Sequence, residues 1–254
     1  MGKTGRLVVS VALAVLAGGW IALGRLTIPP LLGWAGVAAM GFTLAGWVLQ
    51  RESRAGVGAL GRGAVDFTVF AGTGVGLIGA ALVSGAAVLI GLAALAVMIV
   101  YARVLERRGL GNLALAALVG LPFTYGAVAV GRPAGGIVPW ILAAWLQLIR
   151  AMVADLETES VDATRGRRTL AVRLGQFPAS MLTAALALGF VPVSLVLPVR
   201  ADYGGAYFLL AVFAQLAVLV TAARLIVGRM DGVGVLLKGA MLMGAVALVA
   251  GRVR

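Results

Sequence analysis

Four carboxylates stand close together in an otherwise apolar chain. Asp155, Glu157, Glu159 and Asp162 are four of only nine acidic residues in 254. Read as helix, Asp155, Glu159 and Asp162 fall at i, i+4 and i+7, on one face. Three like charges on one face repel, and a divalent cation between them turns the repulsion into attraction. A hard cation such as Mg2+ takes carboxylate oxygens and keeps room for water and substrate phosphates. Just beyond, Arg165, Arg167 and Arg168 suit the charge of a phosphate itself. Upstream, Gln147 and Arg150 lie one helical turn apart and would line the same mouth. A plainer reading is equally open: a solvated loop whose acids and arginines pair locally.

Composition narrows the chemistry. The chain has no Cys and no His, so thiol catalysis, disulfides and zinc–imidazole sites are excluded. Carboxylates, Arg, Lys, Tyr, hydroxyls and amides must carry whatever is done. Hydrophobic residues make up 62% of the chain and charged residues 12%, with a mean hydropathy of +1.08. That charged share is about half the soluble norm, so lipid is the solvent for much of the chain. The net charge of +12 would point to nucleic acid in a soluble protein. Here Arg marks the cytoplasmic loops of a membrane protein, and no nucleic-acid partner is expected.

The elements that must position these residues are membrane-spanning helices. A span needs about 20 mostly apolar residues. Nine stretches qualify: 6–24, 29–50, 64–83, 85–105, 112–131, 134–154, 177–199, 206–228 and 232–251. The first resembles a signal peptide, but similar apolar segments follow it throughout, so it reads as a span. The 37 Gly suit a bilayer, where small residues let helices approach closely. With the N-terminus cytoplasmic, fourteen Lys and Arg fall on inside segments and five on outside ones, leaving Arg150 and Lys238 within spans. That is a positive-inside pattern for nine helices, N-terminus in and C-terminus out. The longest inside loops, 51–63 and 155–176, follow spans four apart and hint at a pseudo-repeat, although no sequence repeat supports it.

The residues carry a resemblance. The stretch from Arg150 to Gly175, RAMVADLETESVDATRGRRTLAVRLG, resembles the second aspartate-rich motif of the UbiA superfamily of intramembrane prenyltransferases. Its GRRTLAVRLG tail is the most specific part. YARVLERRGLGNLALAALVGLPFTYGAVAVG, 101–131, resembles a second family stretch, in which Gly-Asn opens a helix, here Gly111-Asn112. The wording of both is nearest to the digeranylgeranylglyceryl phosphate synthase branch. The resemblance implies an all-α bundle around a central cavity, formed as one domain over 1–254. It implies two aspartate-rich loops facing each other at the cytoplasmic mouth, after helices 2 and 6. It further implies Mg2+ as cofactor, a polyprenyl diphosphate donor and a hydrophobic acceptor in the membrane lipid. Asp155 and Asp162 would be Mg2+ ligands and carry catalysis, with Glu159 or Glu157 in support. Arg150 and Arg168 would contact phosphate, and Asn112 would contribute to substrate binding. The membrane would be that of a bacterial or archaeal cell.

The first aspartate-rich motif departs from the family pattern. Its place at the end of span 2 reads GWVLQRESRAGVGALGRGAVDF, 46–67. Gln50 stands where Asn is expected, and Arg51 and Arg54 stand where Asp residues are expected. Added cations oppose a metal there. Two outcomes follow. Arg51, Arg54 and Arg62 neutralise a diphosphate directly, or the chain is a catalytically impaired relative that binds an isoprenoid or a partner. A small transporter is the third possibility, disfavoured because the charges gather at one membrane face rather than at midplane.

Lys238 lies within the last span. An ionisable group there faces a cavity near substrate or snorkels to the interface, about seven residues away. Asp66 stands at i, i+4 from Arg62, which suits a structural ion pair.

Overall fold

The computed structural model describes residues 3–55, 62–101, 111–164 and 169–253. Among these the chain is helical and contains no strand. Its helices are α1 (Lys3–Leu23), α2 (Pro30–Ala55), α3 (Arg62–Val83), α4 (Gly85–Val100), α5 (Gly111–Ala129), α6 (Ile137–Glu157), α7 (Glu159–Thr164), α8 (Leu170–Leu174), α9 (Gln176–Arg200), α10 (Gly205–Ile226) and α11 (Val233–Ala250). A 3-10 turn, Pro133–Gly136, leads into α6. Each expected span has its helix within a few residues, and span 85–105 runs past Tyr101 outside the described residues.

Among the described residues, seven helical stretches are long and apolar enough to cross a bilayer. Leu7–Leu23 and Gly85–Val100 are apolar but shorter. Large apolar side chains sit outermost on these helices: Phe70 is 81% exposed and Leu209 72%. Water would make such surfaces costly, whereas hydrocarbon solvates them.

The chain divides into two compact units. One holds the described residues of 1–105 and 121–140, the other those of 106–120 and 141–252. The division falls inside α5, beside Pro122.

In the first unit, missing side chains let backbones meet. A Cβ on Gly41 of α2 would come 2.6 Å from the Gly72 carbonyl oxygen of α3, and one on Gly72 would come 2.9 Å from the Gly41 oxygen. Gly18 of α1 and Gly126 of α5 make a similar close crossing, against the Phe123 and Val15 carbonyls. Such crossings gain dispersion contacts that lipid tails do not supply. The Phe42 ring fills the space left by Gly76 and Gly91, and joins Val15, Leu32, Ala38, Ala80 and Tyr125 in the core. The abrupt turn at Ser84 is closed by its own side chain, whose Oγ accepts from the Ala87 N–H at 3.1 Å and caps α4.

In the second unit, buried polar groups join the helices. Ser180 Oγ donates to the Leu225 carbonyl at 3.0 Å, and Trp145 Nε1 to the Leu186 carbonyl at 3.1 Å. Pro198 inside α9 has no N–H for the Ser194 carbonyl four residues back. The Tyr207 hydroxyl of α10 donates to that oxygen instead, at 2.6 Å, and Gln215 Nε2 donates to Ser194 Oγ at 3.0 Å.

Candidate functional site

The acidic stretch forms the end of α6 and the whole of α7. The expected helical extension past the span is present, with one interruption at Thr158. Backbone bonding continues through it: Thr158 N–H donates to the Ala154 carbonyl at 3.2 Å, and Asp162 N–H to the Thr158 carbonyl at 2.8 Å. The common face therefore survives. Asp155 and Glu159 are half-buried and Asp162 is buried, whereas Glu157 is exposed.

Each of the two aspartates has a neutral polar neighbour. Asn112, at the second position of α5, donates through Nδ2 to Asp155 Oδ2 at 2.8 Å. The Thr158 hydroxyl lies 2.9 Å from Asp162 Oδ2 and 2.9 Å from the Ala154 carbonyl. A hydroxyl has one proton to give, and a charged acceptor makes the stronger bond. Nearby on α6, Arg150 Nη1 donates to Gln147 Oε1 at 3.2 Å, pairing the two residues as their spacing suggested. Gln147 is buried and Arg150 half-buried. All of these residues belong to the second unit.

Glu157 lies elsewhere. A Cβ built on Gly234, in the first turn of α11, would sit 3.5 Å from Glu157 Oε1. Its carboxylate thus lies over a helix start, where the dipole favours negative charge. Of the two acids expected as a supporting ligand, Glu159 shares the face of Asp155 and Asp162, and Glu157 does not.

Gly175 ends the stretch. It adopts φ 83°, which favours glycine, and so closes α8 and opens α9 in one residue. Thr169 caps the start of α8, its Oγ1 accepting from the Val172 N–H at 3.4 Å.

Among the described residues, no three His, Cys, Asp or Glu side chains converge closely enough to hold a metal by themselves. The expected trio of Asp155, Glu159 and Asp162 shares a face without forming a closed cage. This donor set still fits magnesium. That ion demands hard oxygen ligands, keeps several waters, and is bound through one or two carboxylates plus substrate phosphates.

Lys238 is exposed on α11, sharing its face with the exposed apolar residues Val235, Leu242 and Val246. Five residues from the helix start, it lies about 7.5 Å along the axis, within snorkelling reach. Asp66 is exposed on α3. Arg165, Arg167, Arg168 and the segment 102–110 lie outside the described residues, as do the side chains of Gln50, Arg51, Arg54 and Arg62. Residue spacing did not single out Thr158. Its signal is a hydroxyl placed i+3 from one acid and i−4 from another. Asn112 was visible as a motif residue, but its partner 43 positions away was not.

The chain is similar to known proteins. The profile of the UbiA prenyltransferase family matches residues 57–233, beginning just beyond the 46–55 stretch that holds Arg51 and Arg54. The digeranylgeranylglyceryl phosphate synthase of Halobacterium salinarum is 34% identical over 192 residues, covering 75% of this chain and 69% of that protein. A solved structure of digeranylgeranylglyceryl phosphate synthase superposes with a TM-score of 0.85 at 17% identity, over 99% of this chain and 95% of the other. A UbiA homologue from Archaeoglobus fulgidus bound to GPP and Mg2+ superposes with a TM-score of 0.57 at 13% identity, over 98% of each chain. The two superpositions establish a shared fold, and the sequence matches establish kinship. This multi-pass membrane protein belongs to the UbiA prenyltransferase family, with relatives among the digeranylgeranylglyceryl phosphate synthases.

Proposed function

We propose that the chain transfers a polyprenyl group from its diphosphate to a lipid-soluble acceptor, with Mg2+ bound by Asp155 and Asp162 and supported by Glu159. The observation that carries this reading is the Asn112–Asp155 bond, which unites the two stretches whose wording resembles the family. Magnesium at these carboxylates would neutralise the diphosphate as it leaves. Arg150, oriented by Gln147, and Arg168 supply further positive charge to the phosphate oxygens. Arg51 and Arg54 put cations where the family has acids, and so meet the diphosphate without a second metal. The names of the relatives suggest a prenylated glyceryl phosphate as the acceptor. Nine spans, a cytoplasmic N-terminus, an external C-terminus and a single domain over 1–254 complete the reading.

The test is a transfer assay with purified protein in nanodiscs. Radiolabelled geranylgeranyl diphosphate, geranylgeranylglyceryl phosphate and Mg2+ are supplied, and lipid product and released pyrophosphate are counted. Wild type turns over, whereas Asp155→Ala and Asp162→Ala lose at least about a hundredfold, as loss of metal-held charge stabilisation implies. Absence of both release and binding across donor chain lengths would sink the reading.

A further inference from the structure

We infer that Asn112 is a positioning residue. It sets the orientation of the Asp155 carboxylate for a divalent cation and does not itself contact substrate. This inference rests on the proposed role of Asp155 as a magnesium ligand.

The geometry argues for it. The Asn112 amide is committed to Asp155 Oδ2 at 2.8 Å, a distance typical of a well-formed bond. Asn112 is at the second position of α5 and Asp155 is in the last turn of α6, so this bond ties the start of one helix to the end of the other. Chemistry argues for it as well. A carboxylate on a helix rotates about its last torsion through a broad well, so without a donor its oxygens are poorly aimed. An amide donor fixes one oxygen while adding no charge. Lys or Arg at this position would compete with the cation, and Asp or Glu would repel the carboxylate that it faces. Neutral donors that orient carboxylate ligands are the usual outer shell of a metal site, and their removal typically costs about 10- to 100-fold in metal affinity.

The experiment measures Mn2+ affinity by titration calorimetry on purified protein in nanodiscs, with inorganic pyrophosphate present. A second titration follows pyrophosphate alone in chelator. Wild type, Asn112→Ala, Asp155→Asn and the double variant are compared. Asn112→Ala is expected to weaken Mn2+ about tenfold and to leave metal-free pyrophosphate binding unchanged. In the Asp155→Asn background, Asn112→Ala should add no further loss, since its effect passes through Asp155. Should Asn112→Ala fail to fold, Asn112→Ser, whose hydroxyl is too short to reach Asp155, carries the same comparison. The inference is overturned if the variant binds Mn2+ as wild type does, if the two substitutions add independently, or if metal-free pyrophosphate binding falls. The last outcome would make Asn112 a direct substrate contact. If wild type itself binds no Mn2+, the magnesium reading fails and takes this inference with it.

Discussion

The Tyr207 hydroxyl donates at 2.6 Å to the Ser194 carbonyl, the acceptor that Pro198 leaves without its helical N–H. A proline in α9 is thus matched by a tyrosine in α10, and the broken ladder is repaired across the helix pair. Tyr207→Phe should destabilise the protein by about 1–3 kcal/mol, the cost of an unsatisfied buried acceptor. Thermal unfolding in detergent reads this. Pro198→Ala returns the N–H, so the same Tyr207→Phe change should cost less in that background.

Thr158 stands between Ala154 and Asp162 and offers its hydroxyl to both. Thr158→Val keeps the shape and removes the proton. Divalent-cation affinity should fall by about tenfold, as for other groups that orient a ligand. Thr158→Ser should retain it. Mn2+ titration of both variants checks this, and equal affinity in Thr158→Val and wild type would mean that Asp162 needs no such support.

Glycines in the first unit divide into two kinds. Gly41 faces the Gly72 carbonyl with no room for a methyl group, and Gly41→Val should cost about 1–3 kcal/mol or more through overpacking. Gly36, in the same helix, has nothing within 4 Å of a built Cβ. Gly36→Ala should be neutral or stabilise by up to about 1 kcal/mol through helix propensity. Parallel melting curves of the two variants separate these outcomes.

Lys238 shares an exposed face with Val235, Leu242 and Val246, which favours snorkelling over a substrate contact. Lys238→Gln should therefore leave KM for the prenyl diphosphate within about twofold of wild type, because an exposed charge contributes little to a site that it does not touch. A KM raised about tenfold or more, roughly the 1.4 kcal/mol of a direct contact, would return Lys238 to the substrate site.

The acidic face was legible because helical spacing is a local rule. Asp155, Glu159 and Asp162 share a side whichever way the rest of the chain runs, and the structure keeps them there despite the interruption at Thr158. The fate of Glu157 was not legible. It depends on where Gly234, far along the sequence, brings the start of α11. The place of Lys238 was open for the same reason, since a residue number gives depth in a span but not the face that neighbours cover.

Hydropathy is likewise additive along the chain, so apolar stretches, their approximate ends and the membrane as solvent were determined by sequence alone. The absence of Cys and His also decided, without any structure, that oxygen and nitrogen groups other than imidazole must do the work. Tertiary structure decided the pairings. Asn112 meets Asp155 across 43 residues, and Tyr207 answers the carbonyl freed by Pro198, only because particular helix ends and faces come together. A hydrogen bond needs its donor within about 3 Å of its acceptor. No property of either residue's own neighbourhood specifies that distance; the packing of the helices does.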